Sequence, residues 1–302
     1  MHVKKIKEKL VSLSKLMKIV ESKKNITLID ILKLSKKISI YYERAIQTKH
    51  VIESILENHN VDSPLLNSNK LLNNQFAVLK KLNNKHTNKT IWVYITEEEK
   101  YSTNSYFKQE KHLSSVFKEE DLIIAIGERA IRFAKSANYN ILFSAQKNDV
   151  EILSTILPSL IENYYQTYGF HDLKFILNSS KIKNNHLDVL PMKNLNFNLN
   201  VKSLKFEKAI DVQKMKIYPD VKEFVEAELV GYLTYIFYTL LNESSLIYLK
   251  YKLVAQNQKI NDLEKKYKQM NLHMLRGKRE LEVEELSLLS KKKDLLHERK
   301  EK

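Results

Sequence analysis

The feature that most constrains the fold is the stretch after Pro219, whose 83 remaining residues contain no further proline and only two glycines, Gly231 and Gly277. Pro219 and Asp220 suit the first turn of a helix, where a missing N–H costs nothing and an acidic group complements the helix dipole. Apolar residues then repeat every seven positions: Leu253, Ile260, Tyr267, Met274, Leu281, Leu288 and Leu295, accompanied by Leu249, Leu263 and Met270. This spacing is typical of a coiled-coil seam. We predict a C-terminal coiled-coil helix over 217–302, roughly 120 Å long at the rise of an α-helix.

The N-terminal residues 1–57 carry the same signature and contain neither glycine nor proline. The first seam residues are Ile6, Leu10, Leu13, Met17 and Val20. After a polar interval at 21–27 the pattern resumes with Ile31, Leu34, Ile38, Tyr41, Ala45, Ile52 and Ile55. Two long heptad helices in one chain suit antiparallel pairing. We therefore predict that the seam from Ile6 to Met17 packs against the row 253–281, with a self-closed helical bundle as the alternative.

The middle of the chain has a different pattern, in which β-branched runs alternate with short helical segments. We predict strands at 91–96, 122–126, 140–143 and 173–177, and helices at 107–117, 128–136 and 149–168. Strands and helices that alternate in this way favour a three-layer, mostly parallel, Rossmann-like α/β domain over 90–216. Residues 58–89 are predicted to be a linker with one short helix at 75–82, and 187–210 to form short antiparallel edge strands.

The charge of the chain favours an acidic partner, since its net charge is +15 and its pI is about 9.5. The alternative is that the chain is rich in lysine for reasons of composition, and that these lysines lie on solvated helix faces without an acidic partner. The absence of cysteine excludes disulfides and fits a reducing compartment. The most apolar run, Leu229–Leu241, contains threonines and tyrosines and is predicted to be a buried helix rather than a membrane span. We expect a cytoplasmic protein.

Catalytic signatures are scarce in this sequence. Gly127 follows the second predicted strand alone, whereas a dinucleotide fingerprint needs three glycines. The sequence has no phosphate-binding lysine loop, no G-x-S-x-G elbow and no histidine pair at metal-binding spacing. The three carboxylates of Glu97–Glu99 could form a cation site, but the segment is better interpreted as a solvated loop. No residue of the sequence is predicted to act with Ser144 or His171 in catalysis. We therefore predict no catalytic, cofactor-binding or metal-binding residue, and no cofactor.

Several segments, taken in order, resemble the gamma subunit of F-type rotary ATPases. The segment 15–23 reads KLMKIVESK, where that family has KAMKMVAASK. The segment 121–140 is similar to the strand–glycine–helix unit of the family, and Leu240–Ser244 reads LLNES, similar to its L-L-x-E-S. Lys252–Gln256 resembles the family's R-M-V-A-M, and 276–279 and 283–286 match two later stretches of its C-terminal helix. The resemblance covers nearly the whole chain.

This resemblance implies a non-catalytic central shaft that is enclosed by a ring of alpha and beta ATPase subunits, three of each around one shaft. The residues that it places against the ring are Met17, Lys18, Lys252, Arg276, Lys278, Arg279 and Glu285. It also implies a possible epsilon-type subunit and membrane ring, a peripheral position on the cytoplasmic face of the cell membrane, and no nucleic acid. Ion transport, or another mechanical output in a divergent member, would be driven by ATP hydrolysed or made in the ring.

The chain departs from the family in four ways, one of which is that larger residues replace the family's small residues in the C-terminal helix. The family's glycine-rich segment after the first strand is replaced by 96–102, which contains no glycine; Lys252 replaces an arginine; and a charged tail follows at 291–302. Two other classes of function are alternatives to a shaft. A basic coiled-coil scaffold for nucleic acid or a membrane surface would need arginine-rich or aromatic stripes, whereas the charge here is mostly lysine and dispersed. An α/β enzyme with coiled-coil arms would need the missing catalytic groups.

Overall fold

The computed structural model describes residues 3–59, 61, 63, 65–66, 89–98, 100–101, 104–179, 181–182, 185–195, 197 and 216–298, with the side chains of all of these except 104–105 and 291–298. Within this part of the chain the helices are α1 (Val3–Asn58), α2 (Asn104–Val116), α3 (Glu128–Ser136), α4 (Val150–Tyr168) and α5 (Val221–Glu298). The strands are β1 (Thr90–Ile95), β2 (Leu122–Ile126), β3 (Asn140–Ala145), β4 (Asp172–Ile176) and β5 (Leu187–Leu190), and a short 3-10 helix spans Met192–Asn194. The fold is thus α/β, mostly helical, with a long C-terminal helix.

The five strands form one mixed sheet in the order β3-β2-β1-β4-β5. Strands β1 to β4 are parallel, and β5 pairs antiparallel with β4 at one edge. The four parallel strands lie where the sequence predicts them. The predicted antiparallel pairing after residue 187 is observed for β5, while Leu199, Val201, Leu204 and Phe206 lie outside the described residues, as does the predicted helix at 75–82.

Helices cover both faces of the sheet and create three layers. On one face Trp92, Tyr94 and Ile123 pack with α2 and α3. On the other face the alternate residues of β1 and β2 pack with α4, with residues 45–55 of α1 and with residues 225–241 of α5. Because strands buried on both sides have no solvated face, they read as continuous apolar runs, which is the pattern of Leu122–Ile126.

The chain divides into two compact units, and both long helices contribute to each of them. The two-helix unit consists of Met1–Asp30 and Lys252–Lys302, and the α/β unit consists of Ile31–Tyr251. The polar interval at 21–27 does not interrupt α1, which is continuous from Val3 to Asn58. Within this interval Thr27 is buried, and its hydroxyl donates to the Lys23 carbonyl at 2.9 Å.

The apolar run of α5 is a core segment of the α/β unit. By length and hydropathy α5 contains one stretch that could cross a membrane, and half of that stretch is buried within the fold. Leu233, Phe237 and Leu240 are almost fully buried, and the Phe237 ring lies 4.8 Å from that of Phe175 on β4. This burial agrees with the predicted core helix.

Candidate partner interface

The two-helix unit pairs the start of α1 with α5 in antiparallel orientation. Val3 lies against Gly277, where an added Cβ would be 3.1 Å from Val3 Cγ2. Further along, a groove of about 440 Å³ is lined by 9–16 of α1 and 266–273 of α5. Residue numbers that rise on one helix while they fall on the other indicate an antiparallel pair.

The predicted seam residues occupy this unit with different degrees of burial. Ile6, Leu10 and Val20 are buried, and so is Leu263 in the companion row. Leu13, Met17, Leu253, Ile260, Tyr267 and Met274 are half-buried. Leu281 and Leu288 are 49% and 61% exposed, which differs from the predicted seam. The physical reason is that the described part of α1 begins opposite Gly277 and does not reach them.

Apolar side chains also cover the outside of the paired helices. On the paired part of α1, residues 3–30, the exposed ones are Val11, Leu16, Ile19, Ile26, Leu28 and Ile29. A heptad has seven positions, of which Leu10 and Leu13 take the two that face the partner helix. Each of the other five positions is occupied by at least one of these six exposed residues. On α5, Val254, Leu272 and Leu275 are also exposed. A two-stranded coiled coil in water normally carries polar residues there. Apolar surface on every side is therefore typical of a unit that binds other protein.

Charge is segregated along the two-helix unit. Residues 3–30 and 252–279 contain sixteen lysines and arginines and five aspartates and glutamates, a net charge of +11. Residues 280–290 are the last part of α5 whose side chains are described, ahead of three lysines at 291–293, and are here called the tip; they contain four glutamates and no basic residue. The tip also exposes Leu281, Val283, Leu286, Leu288 and Leu289.

All seven residues that the resemblance places against the ring lie in the two-helix unit. Lys18, Arg276, Lys278, Arg279 and Glu285 are exposed, and Met17 and Lys252 are half-buried. Arg276, Lys278 and Arg279 lie on the turn around Gly277, immediately before the tip. Their positions are compatible with contact to a partner.

In the α/β unit, polar side chains at the carboxyl edge of the sheet form hydrogen bonds with side chains of α5. This group of residues, Glu97, Asn148, Ser179, Lys181, Glu243 and Ser245, is here called the clamp. Glu97, after β1, accepts hydrogen bonds from Asn148 Nδ2 at 2.7 Å and from Ser245 Oγ at 3.0 Å. Glu243 is fully buried and accepts from Ser179 Oγ at 2.9 Å and Lys181 Nζ at 2.8 Å, both of which follow β4.

The clamp corrects the interpretation of Glu97 as part of a solvated loop, since its carboxylate is hydrogen-bonded to Asn148 and Ser245, whereas Glu98 is exposed as that interpretation expects. Besides Glu97, the Glu98 carboxylate accepts from the Tyr248 hydroxyl at 3.2 Å, while Glu99 lies outside the described residues. Burial, followed by the Glu98 carboxylate, raises the pKa of Tyr248 to about 12. Sequence reasoning missed this site, although a glutamate two residues after the apolar run Leu229–Leu241 signals a buried partner.

The other candidate groups are not brought together. Ser144 is the last residue but one of β3 and His171 precedes β4, so they lie at opposite ends of parallel strands. His171 is buried, and its Nδ1 lies 2.9 Å from the Gly169 carbonyl. At Gly127, where φ is +99°, Thr96 Oγ1 accepts from the Ala130 N–H at 3.1 Å and so occupies the start of α3. Among the described residues no group of three histidines, cysteines or carboxylates could hold a metal.

Comparison with solved structures finds chains of mitochondrial ATP synthases. One, from the Euglena gracilis rotor, aligns over 92% of this chain and 98% of its own length, with 13% identity and a TM-score of 0.41. Another, from the Tetrahymena thermophila central stalk and c-ring, aligns over 78% and 99%, with 15% identity and a TM-score of 0.42. The link to ATP synthase rotor chains is weak, because TM-scores at this level do not establish a shared fold.

Comparison of sequences gives a firmer relationship. No protein-family model matches the chain. A protein of Ureaplasma parvum serovar 3, named uncharacterized protein UU050, is 32% identical over 274 residues, which cover 90% of this chain and 88% of the relative. Identity at this level, over nearly the full length of both proteins, shows common descent, and the chain belongs to the same family as the Ureaplasma parvum protein.

Proposed function

We propose that the protein is the non-catalytic central shaft of a rotary F-type ATPase, similar to a gamma subunit. The observation that carries the proposal is the apolar surface on every side of the two-helix unit, with Val11, Leu16 and Ile19 among its exposed residues. A shaft inside a ring of subunits needs such a surface, because it is contacted from all directions. The motifs at 15–23 and 240–256 support the same assignment.

The charge pattern fits a shaft whose surroundings change along its length. The paired part, with a net charge of +11, would meet acidic loops of alpha and beta subunits. The tip, which is apolar and acidic, would fit an apolar collar that carries basic groups. Because the two helices differ in sequence, each surrounding subunit would contact a different face, and its nucleotide affinity would depend on the rotation angle.

In this proposal the protein is cytoplasmic and peripheral on the membrane through its complex. The ring performs ATP hydrolysis or synthesis, and the shaft transmits rotation to ion transport or to another mechanical output. An epsilon-type subunit would be a further partner.

The positive charge before the tip gives the first test. Neutralising Arg276, Lys278 and Arg279 together with glutamine should lower the yield of the assembled complex or its ATPase rate, because three charged contacts are removed. The measurement is co-purification of tagged chain with alpha- and beta-type subunits, followed by an ATPase assay. The matched control neutralises Lys108, Lys111 and Lys135, which are exposed in the α/β unit. Equal yield and rate in both triple variants would contradict the proposed contact.

The proposal also predicts that the isolated chain is not an enzyme. Calorimetric titration of the purified chain with Mg-ATP should give no micromolar binding, and the same sample should not hydrolyse ATP. The physical reason is that Ser144, His171 and Glu97 do not converge on one pocket. Turnover by the chain alone would favour the enzyme hypothesis instead.

A further inference from the structure

Helix α4 lies within a stretch that contains no positive charge. Residues 148–173 include no lysine or arginine, in a chain that has 51 of them. One other stretch of similar length, 223–249, also contains no lysine or arginine. It is the core segment of α5, and its burial explains why basic residues are absent. Helix α4 is buried on one side only, along Leu153, Leu157, Ile161 and Tyr165. Burial therefore does not explain why its opposite side also lacks basic residues.

The outward side of α4 is apolar and hydroxyl-bearing. Ile152 and Ile156 are 54% and 44% exposed and lie one turn apart. At helical spacing they share a face with Thr155, Ser159, Asn163 and Thr167, all exposed, and these six residues are here called the α4 face. None of them is charged, although 29% of all residues are. Glu151 and Glu162 lie beside this face. They are eleven residues apart, about three turns of an α-helix, and therefore lie on the same side of α4.

The hydroxyl groups of the α4 face are already bonded within the helix. Thr155 Oγ1 donates to the Glu151 carbonyl at 3.3 Å, Ser159 Oγ to Thr155 at 3.4 Å and Thr167 Oγ1 to Asn163 at 3.0 Å. Covering them would break few hydrogen bonds to water, so this face can be buried at lower cost than an ordinary charged helix surface. Small side chains also let another helix approach closely.

We propose that the α4 face docks a partner subunit whose contact surface is apolar and carries lysine or arginine opposite Glu151 and Glu162. Charge disfavours symmetric docking of two copies through this face, since each copy would bring its own glutamates against those of the other. The proposal goes beyond the shaft function and does not depend on it, because it involves only residues of the α/β unit.

The test places a photo-crosslinking amino acid at Ile156 in cells that make the protein, with Phe107 on α2 as the control. Phe107 is also apolar and is 66% exposed. We expect position 156 to crosslink at least about tenfold more than position 107, to one peptide of another polypeptide that contains apolar residues and lysine or arginine. The change Glu151→Lys with Glu162→Lys should reduce that crosslink at least about tenfold, a loss equivalent to about 1.4 kcal/mol of binding.

Three results would overturn the proposal. They are equal crosslinking at 156 and 107, a crosslink to a second copy of this chain, and a crosslink that is unchanged by the double charge reversal. Thermal unfolding of each purified variant, monitored by circular dichroism, shows whether the substituted chain is folded. Failure here leaves co-purification of the ring subunits unaffected, so the two proposals are tested separately.

Discussion

Replacing Lys181 by methionine is expected to destabilise the α/β unit by about 3 kcal/mol, because it leaves the Glu243 carboxylate buried without a counter-charge. Glu243 is fully buried, and Lys181 is its charged partner at 2.8 Å. We expect the lower end of the range for a broken buried pair, since the Lys181 side chain is 27% exposed and Ser179 still donates to Glu243. The measurement is urea unfolding of the purified chain.

A matched control separates this buried pair from surface pairs. Lys89 lies 3.7 Å from Glu120, and both side chains are more than half exposed. Lys89→Met should therefore change the free energy of unfolding by about 0–1 kcal/mol. The double variant Lys181→Met with Glu243→Leu should recover part of the lost stability, since no unpaired charge remains. Similar losses in Lys181→Met and Lys89→Met would show that the clamp is not an important contact.

Placing aspartate at Leu286 and Leu289 in the tip should reduce assembly of the complex at least about tenfold, while the unfolding of the isolated chain stays unchanged. The two leucines are 66% and 62% exposed, so the chain alone loses little when they are replaced. Within an enclosing collar, each leucine would contribute about 1.5–3 kcal/mol of burial. The measurement is the yield of complex recovered with the tagged variant.

The control for the tip adds the same charge without removing a leucine. Ser287 and Ser290 are exposed on the same turns, and Ser287→Asp with Ser290→Asp should lower assembly much less. If both double variants assemble as well as the unmodified chain, the tip does not enter a partner. If both fail equally, added charge rather than lost apolar contact is responsible.

Much of the fold could be predicted because local patterns decide it. The run Leu122–Ile126 is continuous because both faces of β2 are covered, and the proline-free heptads after Pro219 leave no alternative to a long helix. The clamp could not be predicted in the same way. Glu97 and Ser245 are far apart in the chain, and only the folded sheet edge brings them within 3.0 Å.

The candidate interface could be predicted only in part, because the heptad pattern is local and the extent of the partner helix is not. A heptad predicts which residues face the seam, and Ile6 and Leu10 are buried. It does not predict how far the partner helix extends, so Leu281 and Leu288 are exposed instead. The apolar residues outside the seam, such as Val11 and Ile19, can be interpreted as a contact surface only once the structure shows that the described part of this chain leaves them exposed.

The most direct test of the shaft is electron cryomicroscopy of the complex purified through this chain from cells that make it. The account predicts one copy of the chain, with Val11, Leu16 and Ile19 of α1 and the tip of α5 covered on all sides by a ring of six alpha- and beta-type subunits. A complex in which the two-helix unit remains exposed to solvent, or in which several copies of this chain pair with one another, would contradict it.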